Sequence, residues 1–188
     1  MRWAAKLRSK ASSVTACARR DTRAVASVEF ALILPVMCAF LTISVVIGEA
    51  VAIWQKVSAT SRTITDLVTQ YSTLSTANLI GILDAAASTM TPYSSTNLSL
   101  VVSEIQTNAS GQATITWSKA AFNGVALTQG QTIALPPLID QPNITLILGQ
   151  VQYVYSPLNI FYQGLGPIPL SDSSYWSPRI SSTVTLTP

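Results

Sequence analysis

The chain has no histidine, two cysteines and few charges, and each shortage removes a class of protein. Without histidine there is no Ser-His-Asp or Cys-His machinery and no common neutral-pH base, and most zinc and iron sites are lost too. Cys17 and Cys38 lie in a basic stretch and an apolar run, so no disulfide staples the residues beyond them. Charged residues make up 10% of the chain, against about 25% in an ordinary soluble domain. With 48% hydrophobic residues and a mean hydropathy of +0.39 it is too apolar for disorder. Gly164-Leu165-Gly166-Pro167, the densest glycine cluster, lacks the later glycine of a dinucleotide loop and reads as a turn. Asp84, Glu104, Asp140 and Asp172 are isolated acids, and lone acids are mostly surface or capping groups. The expectation is a non-enzymatic protein without cofactor or metal.

What charge there is divides unevenly. Residues 1–24 hold seven bases and one acid; residues 25–188 hold four bases and seven acids. The overall +3 therefore joins a +6 leader to a −3 remainder. A pI near 9 raises a nucleic-acid reading, but the basic residues are confined to the leader, and the expectation is no nucleic-acid partner.

Phe30–Gly48, FALILPVMCAFLTISVVIG, is uncharged throughout. At helical rise it spans roughly 28 Å, the thickness of a bilayer's hydrocarbon. The bases ahead of it orient the N-terminus to the cytoplasm and residues 50–188 to the other side. Glu29 stands at the head of this run, after uncharged Val25-Ala26-Ser27-Val28. A carboxylate in lipid costs about 2.5–3.5 kcal/mol on insertion scales. Either Glu29 sits at the interface, where that cost fades, or it pairs with a positive group in an assembly.

The order of basic leader, small residue, four further residues, Glu, aromatic and long apolar helix resembles the class III signal of type IV pilins. The segment is Arg23-Ala24-Val25-Ala26-Ser27-Val28-Glu29-Phe30. Val28–Pro35 (VEFALILP) is similar to the TadE/TadG-like proteins of Tad (Flp, type IVc) pilus systems. Val151–Pro157 (VQYVYSP), Gly166-Pro167-Ile168, Leu170-Ser171-Asp172, Tyr175 and Pro178-Arg179 to Val184 resemble the C-terminal end of the same group. The resemblance implies that a prepilin peptidase cuts between Ala24 and Val25. Glu29, fifth in the mature chain, then pairs with the free amine of Val25 on a neighbouring subunit. Ala24 stands where major pilins favour glycine. Phe30, Leu32, Ile33, Leu34, Pro35 and Phe40 are expected to pack in a helix bundle.

Beyond Gly48, Trp54, Val57, Ser61, Ile64, Val68 and Tyr71 recur at spacings of three and four, opposite a polar side with Gln55, Arg62, Thr65 and Thr69. The reading is one long helix over 25–71, with its membrane part at about 25–48. Pro35 either kinks it or sits where the lost hydrogen bond is tolerated. Residues 72–77 read as a break, and Ser75 or Thr76 caps a second helix over about 76–88 with Leu79, Ile82, Leu83 and Ala86 inward. Strands are expected at about 97–107 and 112–118 around the turn Asn108-Ala109-Ser110-Gly111, then at 133–135 and at 143–155 with a break or bulge at Gly149. Pro157–Tyr175 reads as a loop and Ile180–Leu186 as the last strand. The fold class is α+β: a pilin-like transmembrane helix, then an exported domain (72–188) with a mostly antiparallel sheet. Among the aromatics, Tyr153, Tyr155, Tyr162, Tyr175 and Trp176 mostly pack that sheet.

The function these readings imply is structural. The chain is expected to be a minor pilin or pseudopilin of a Tad-type pilus, held in the bacterial inner membrane and priming or capping the filament. Its partners are the major Tad pilin, other minor pilins, the prepilin peptidase, the inner-membrane assembly platform and the lipid bilayer. One alternative is an uncleaved single-pass envelope protein whose exported domain binds a partner or surface ligand. Another treats 1–52 as a secretory signal ending in Ala50-Val51-Ala52. The long basic region and Glu29 count against it.

Overall fold

A computed structural model of the chain describes residues 22–157 and 166–188; of residues 22–24 it describes the backbone alone. Residues 1–21, with Cys17 and most of the expected leader, lie outside the described residues, as do Tyr162 and Gly164-Leu165 of the expected glycine turn. The chain divides into two compact units, Met1–Ile47 and Gly48–Pro188.

The first element, α1 (Thr22–Thr69), contains the apolar run and continues through Pro35. Within the apolar run two hydroxyls are satisfied locally: Thr42 Oγ1 donates to Cys38 O and Ser44 Oγ to Phe40 O, each at 2.8 Å. A helix with these bonds leaves few polar groups to desolvate in an apolar medium.

In the second unit the remainder of α1 is followed by β1 (Thr73–Ser75), α2 (Thr76–Ser88), a 3-10 turn (Ser95–Asn97), β2 (Leu98–Thr107), β3 (Ala113–Phe122), β4 (Thr132–Ile133), β5 (Thr145–Tyr155), β6 (Ile168–Trp176) and β7 (Thr185–Thr187). The class is α+β as expected. β4-β3-β2-β5-β6 form an antiparallel sheet, and β1 pairs with β7 in parallel. Ser75 caps α2 by accepting from Asn78 N, one of the two caps expected. Asn108 builds the β2–β3 turn: its Oδ1 accepts from Ser110 N and Gln112 N, and Gly111 has φ 79°.

Four sequence expectations need correction. Pro157–Tyr175 is not loop throughout: Ile168–Trp176 is an edge strand, where Pro169 and four polar or small residues are tolerated because one side of the backbone is unpaired. The last strand is only Thr185–Thr187, and it pairs with Thr73–Ser75, which had read as a plain break. The bulge lies between β2 and β3, where the register shifts at Glu104/Ile105, whereas β5 pairs without interruption through Gly149. Finally, the inward face of α1 is broader than the expected stripe. Ile53, Val57, Thr60, Ser61, Ile64, Thr65, Val68 and Thr69 are buried, while Trp54 and Tyr71 at the ends of the stripe are exposed.

Thr65 and Thr69 tolerate burial because each donates back to its own helix, Thr65 to Ser61 O and Thr69 to Asp66 O. Ile64, Val68, Leu79, Leu83, Leu98, Leu100, Val102, Ile147 and Val151 are the apolar core. Ile82, expected inward, is half-buried. Of the aromatics, Tyr153 and Tyr155 are buried, and Tyr175 and Trp176 are half-buried.

Candidate functional site on the first helix

The residues singled out in the sequence fall on consecutive turns of α1. Val25, Glu29, Phe30, Leu32, Ile33, Leu34, Pro35 and Phe40 are all exposed. The most apolar window of the helix has a hydropathy of 2.7, and none of it is buried. It is long and apolar enough to cross a membrane and lies near the N-terminus. A core helix of a soluble domain buries one face; Phe30, Leu32 and Phe40 are 63%, 71% and 68% exposed. Contiguous apolar surface of this kind calls for lipid or other helices.

Ala24 and Val25 lie within α1, which begins at Thr22. The helical backbone therefore runs across the expected cleavage bond. The ion pair present among the described residues joins Arg179 to Asp66 at 2.6 Å and does not involve Glu29. In sequence Glu29 stood out as an acid in an apolar stretch, and it keeps that character here.

What the sequence did not reveal is how the second unit is built onto its own part of α1. Gly149 of β5 permits close approach: a Cβ there would lie 3.0 Å from Ser61 O and 3.1 Å from Thr65 Cγ2. Around it the Ser61 hydroxyl donates to Gly149 O at 2.9 Å. Ser174 Oγ stands 2.9 Å from Ser61 Oγ and 2.6 Å from Thr65 Oγ1, and donates to Ser61 O. Glu49 accepts from Tyr155 Oη at 2.6 Å. Burial, then the bond and charge of Glu49, push the Tyr155 hydroxyl up to about 12. Arg179 pairs with Asp66, stacks over Trp176 at 5.0 Å, and donates its backbone N–H to Thr69 O.

Lys56 holds the far end of α2. Its Nζ donates to Thr89 O at 3.0 Å and Thr91 O at 2.7 Å. A cation there satisfies carbonyls the helix leaves open and opposes the negative end of its dipole. Lys56→Met keeps the stem and deletes the charge. It is expected to cost about 1 kcal/mol, read as an earlier midpoint in urea denaturation with an unchanged slope; an unmoved midpoint would show that the contact contributes nothing.

The second acid to emerge is Glu104, which the sequence had grouped with isolated surface acids. It is 1% exposed. Its Oε1 accepts from Val184 N at 2.8 Å, while Trp117 Nε1 donates to Val184 O at 2.7 Å. Burial raises its pKa, partly offset by the hydrogen bond from Val184 N. Its signal in the sequence was weak: the even positions Leu98, Leu100 and Val102 point inward, and Glu104 is next in that series.

No family model, curated protein or solved structure matches the chain. Functional inference therefore rests on the residues and their geometry.

Proposed function

We propose that the protein is a minor pilin-like subunit of a Tad-type pilus, inserted in the bacterial inner membrane with its N-terminus cytoplasmic and its C-terminal domain outside. The observation that carries this reading is the apolar part of α1, none of it buried and headed by a single acid, in a helix whose later turns are core of a folded domain. Non-covalent assembly needs both features. Phe30, Leu32, Ile33, Leu34, Pro35 and Phe40 give each subunit an apolar face to pack, against lipid before assembly and against helices of the major pilin and other minor pilins afterwards. Glu29 sets the register, because a carboxylate in a dry bundle is stabilised only by a positive group at matching depth. Removal of the leader by a prepilin peptidase supplies that group as the amine of Val25. The subunit then primes or caps the filament at the inner-membrane assembly platform.

The helical backbone across Ala24–Val25 favours the alternative, an uncut single-pass envelope protein. The N-terminal residue of the protein extracted from membranes separates them. Val25 is expected; Met1 would overturn the pilin reading in favour of the anchor. Ile53 would mean secretion, against which stands the helix unbroken through Ala50–Ile53.

Glu29→Ala is expected to insert normally but to recover at least about tenfold less pilin partner on co-purification, a difference of ~1.4 kcal/mol. Equal recovery by wild type and variant would remove the charge-pairing role.

A further inference from the structure

The two faces of the five-stranded sheet have unlike surroundings. Gly149 and Ser174 face α1. On the opposite face, one end is sealed: Ile105, Ala113 and Leu148 are buried against Leu127, Ile133, Leu135 and Tyr175. The other end is open among the described residues. There the pairing register sets two rows across three strands, Ser99–Gln152–Ser171 and Val101–Gln150–Ser173. Asn123–Val125 forms the wall of the resulting groove, which holds about 550 Å³. Gly124 lets that wall lie on β2, since a Cβ there would collide with the Leu100 carbonyl oxygen.

The lining narrows the choice of occupant. It holds no cation, so phosphate, sulfate and nucleic acid find no counter-charge. Asp172 is its single ionisable group, too little for a polybasic partner. A lipid chain or apolar helix would desolvate the amides of Gln150 and Gln152 without compensation. Those amides and the hydroxyls of Ser99, Ser171 and Ser173 have no side-chain hydrogen bond within the described residues. Each both donates and accepts. They repeat about 4.8 Å across strands and about 6.8 Å along them, an array matched by a ligand whose own groups are closely spaced hydroxyls.

A separate observation points to the same place. Phe122 pairs with Ser99 across β2 and β3, is 45% exposed, and has φ 56°. A bulky residue in that left-handed region is an outlier, and such outliers concentrate at ligand clamps. Phe122 directly precedes Asn123 of the groove wall, and an exposed aromatic ring at that edge is the complement of the C–H face of a pyranose.

We propose that this groove binds a neutral glycan, with Gln150 and Gln152 as the main hydrogen-bonding groups and Phe122 as a stacking platform at its edge. The assignment does not depend on cleavage or on the pilus reading.

The test uses the full chain in phosphatidylcholine nanodiscs, which avoids sugar-headed detergents. It is titrated with malto-, cello-, chito- and manno-hexaose, and with a heparin hexasaccharide and a hexalysine peptide as charged probes. At least one neutral hexaose is expected to bind. A Gln150→Ala/Gln152→Ala double variant should weaken it at least tenfold, and Ser99→Arg, which fills the groove from a different strand, should do the same. Should the double variant unfold, Ser99→Arg and Phe122→Ala carry the comparison, with thermal unfolding checked for each. The proposal is overturned if no neutral hexaose binds, if binding survives these substitutions in folded protein, or if only a charged probe binds in the groove.

Discussion

Gly149→Val is expected to destabilise the second unit by about 3 kcal/mol or more, lowering its melting temperature by roughly 10 °C. The physical reason is local crowding against a backbone that has no alternative path. Even a lone Cβ at this position reaches 3.0 Å from Ser61 O, and Ser61 O is main chain of α1. Valine adds two methyl groups and must push helix and sheet apart. That separation breaks the Ser61–Gly149 bond and strains the bonds of Ser174 to Ser61 and Thr65. Gly149→Ala, by contrast, needs only a few tenths of an ångström and should cost about 1 kcal/mol. Thermal unfolding of the two variants, followed by circular dichroism, checks the order. A Val variant as stable as the Ala variant would mean that Gly149 is an ordinary strand residue.

Removing the buried carboxylate at 104 gives the second large effect, with opposite outcomes for two substitutions. Glu104→Ala leaves the Val184 N–H without its acceptor and is expected to cost about 2–3 kcal/mol. Glu104→Gln keeps an acceptor and removes the charge. Burial raises the pKa of Glu104 above the ordinary 4.5. Between 4.5 and that raised value, the folded protein binds more protons here than the unfolded chain. Stability from this group therefore falls as pH rises through the window, and is greatest below it. The Gln variant lacks that loss, so it should match or exceed wild type at neutral pH and fall behind it in relative terms on acidification. Denaturant titrations from pH 4.5 to 8 measure the difference between the two curves. Parallel curves would show that Glu104 does not change its ionisation within that range.

Much of the fold was legible because its signals are local. The uncharged run from Phe30 to Gly48 needs only length and hydropathy, and the helix observed there spans it. Ser75 followed by an apolar repeat marked the start of α2, and Asn108 with Gly111 marked the hairpin, since a cap or a turn is built by residues within a few positions. β6 was missed because Ile168–Trp176 carries proline, serines and an aspartate, and its strand conformation comes from pairing with β5. β7 was overextended for the related reason that its partner, Thr73–Ser75, lies more than a hundred positions away. Thr65 and Thr69 read as solvent-facing by residue type alone, yet they are buried, because their hydroxyls are satisfied on the helix's own carbonyls.

The candidate site divides in the same way. Glu29 and the apolar residues after it were visible in the sequence, because a charge next to nineteen uncharged residues is conspicuous without coordinates. Glu104 was not, because one acid in a strand says nothing of what lies over it; its burial depends on Val184 and Trp117 arriving from the chain's end and the facing strand. The polar groove was equally hidden, since Ser99, Gln152 and Ser171 become neighbours only through strand register. By itself, then, the sequence determined the charge of residues 1–24, the apolar helix and its acid, the hairpin and the α+β class, all set by composition and near-neighbour geometry. The tertiary structure decided which strands pair, why Gly149 is glycine, where Glu104 is held and which face of the sheet stays open, because each depends on groups far apart in the chain meeting at a few ångströms.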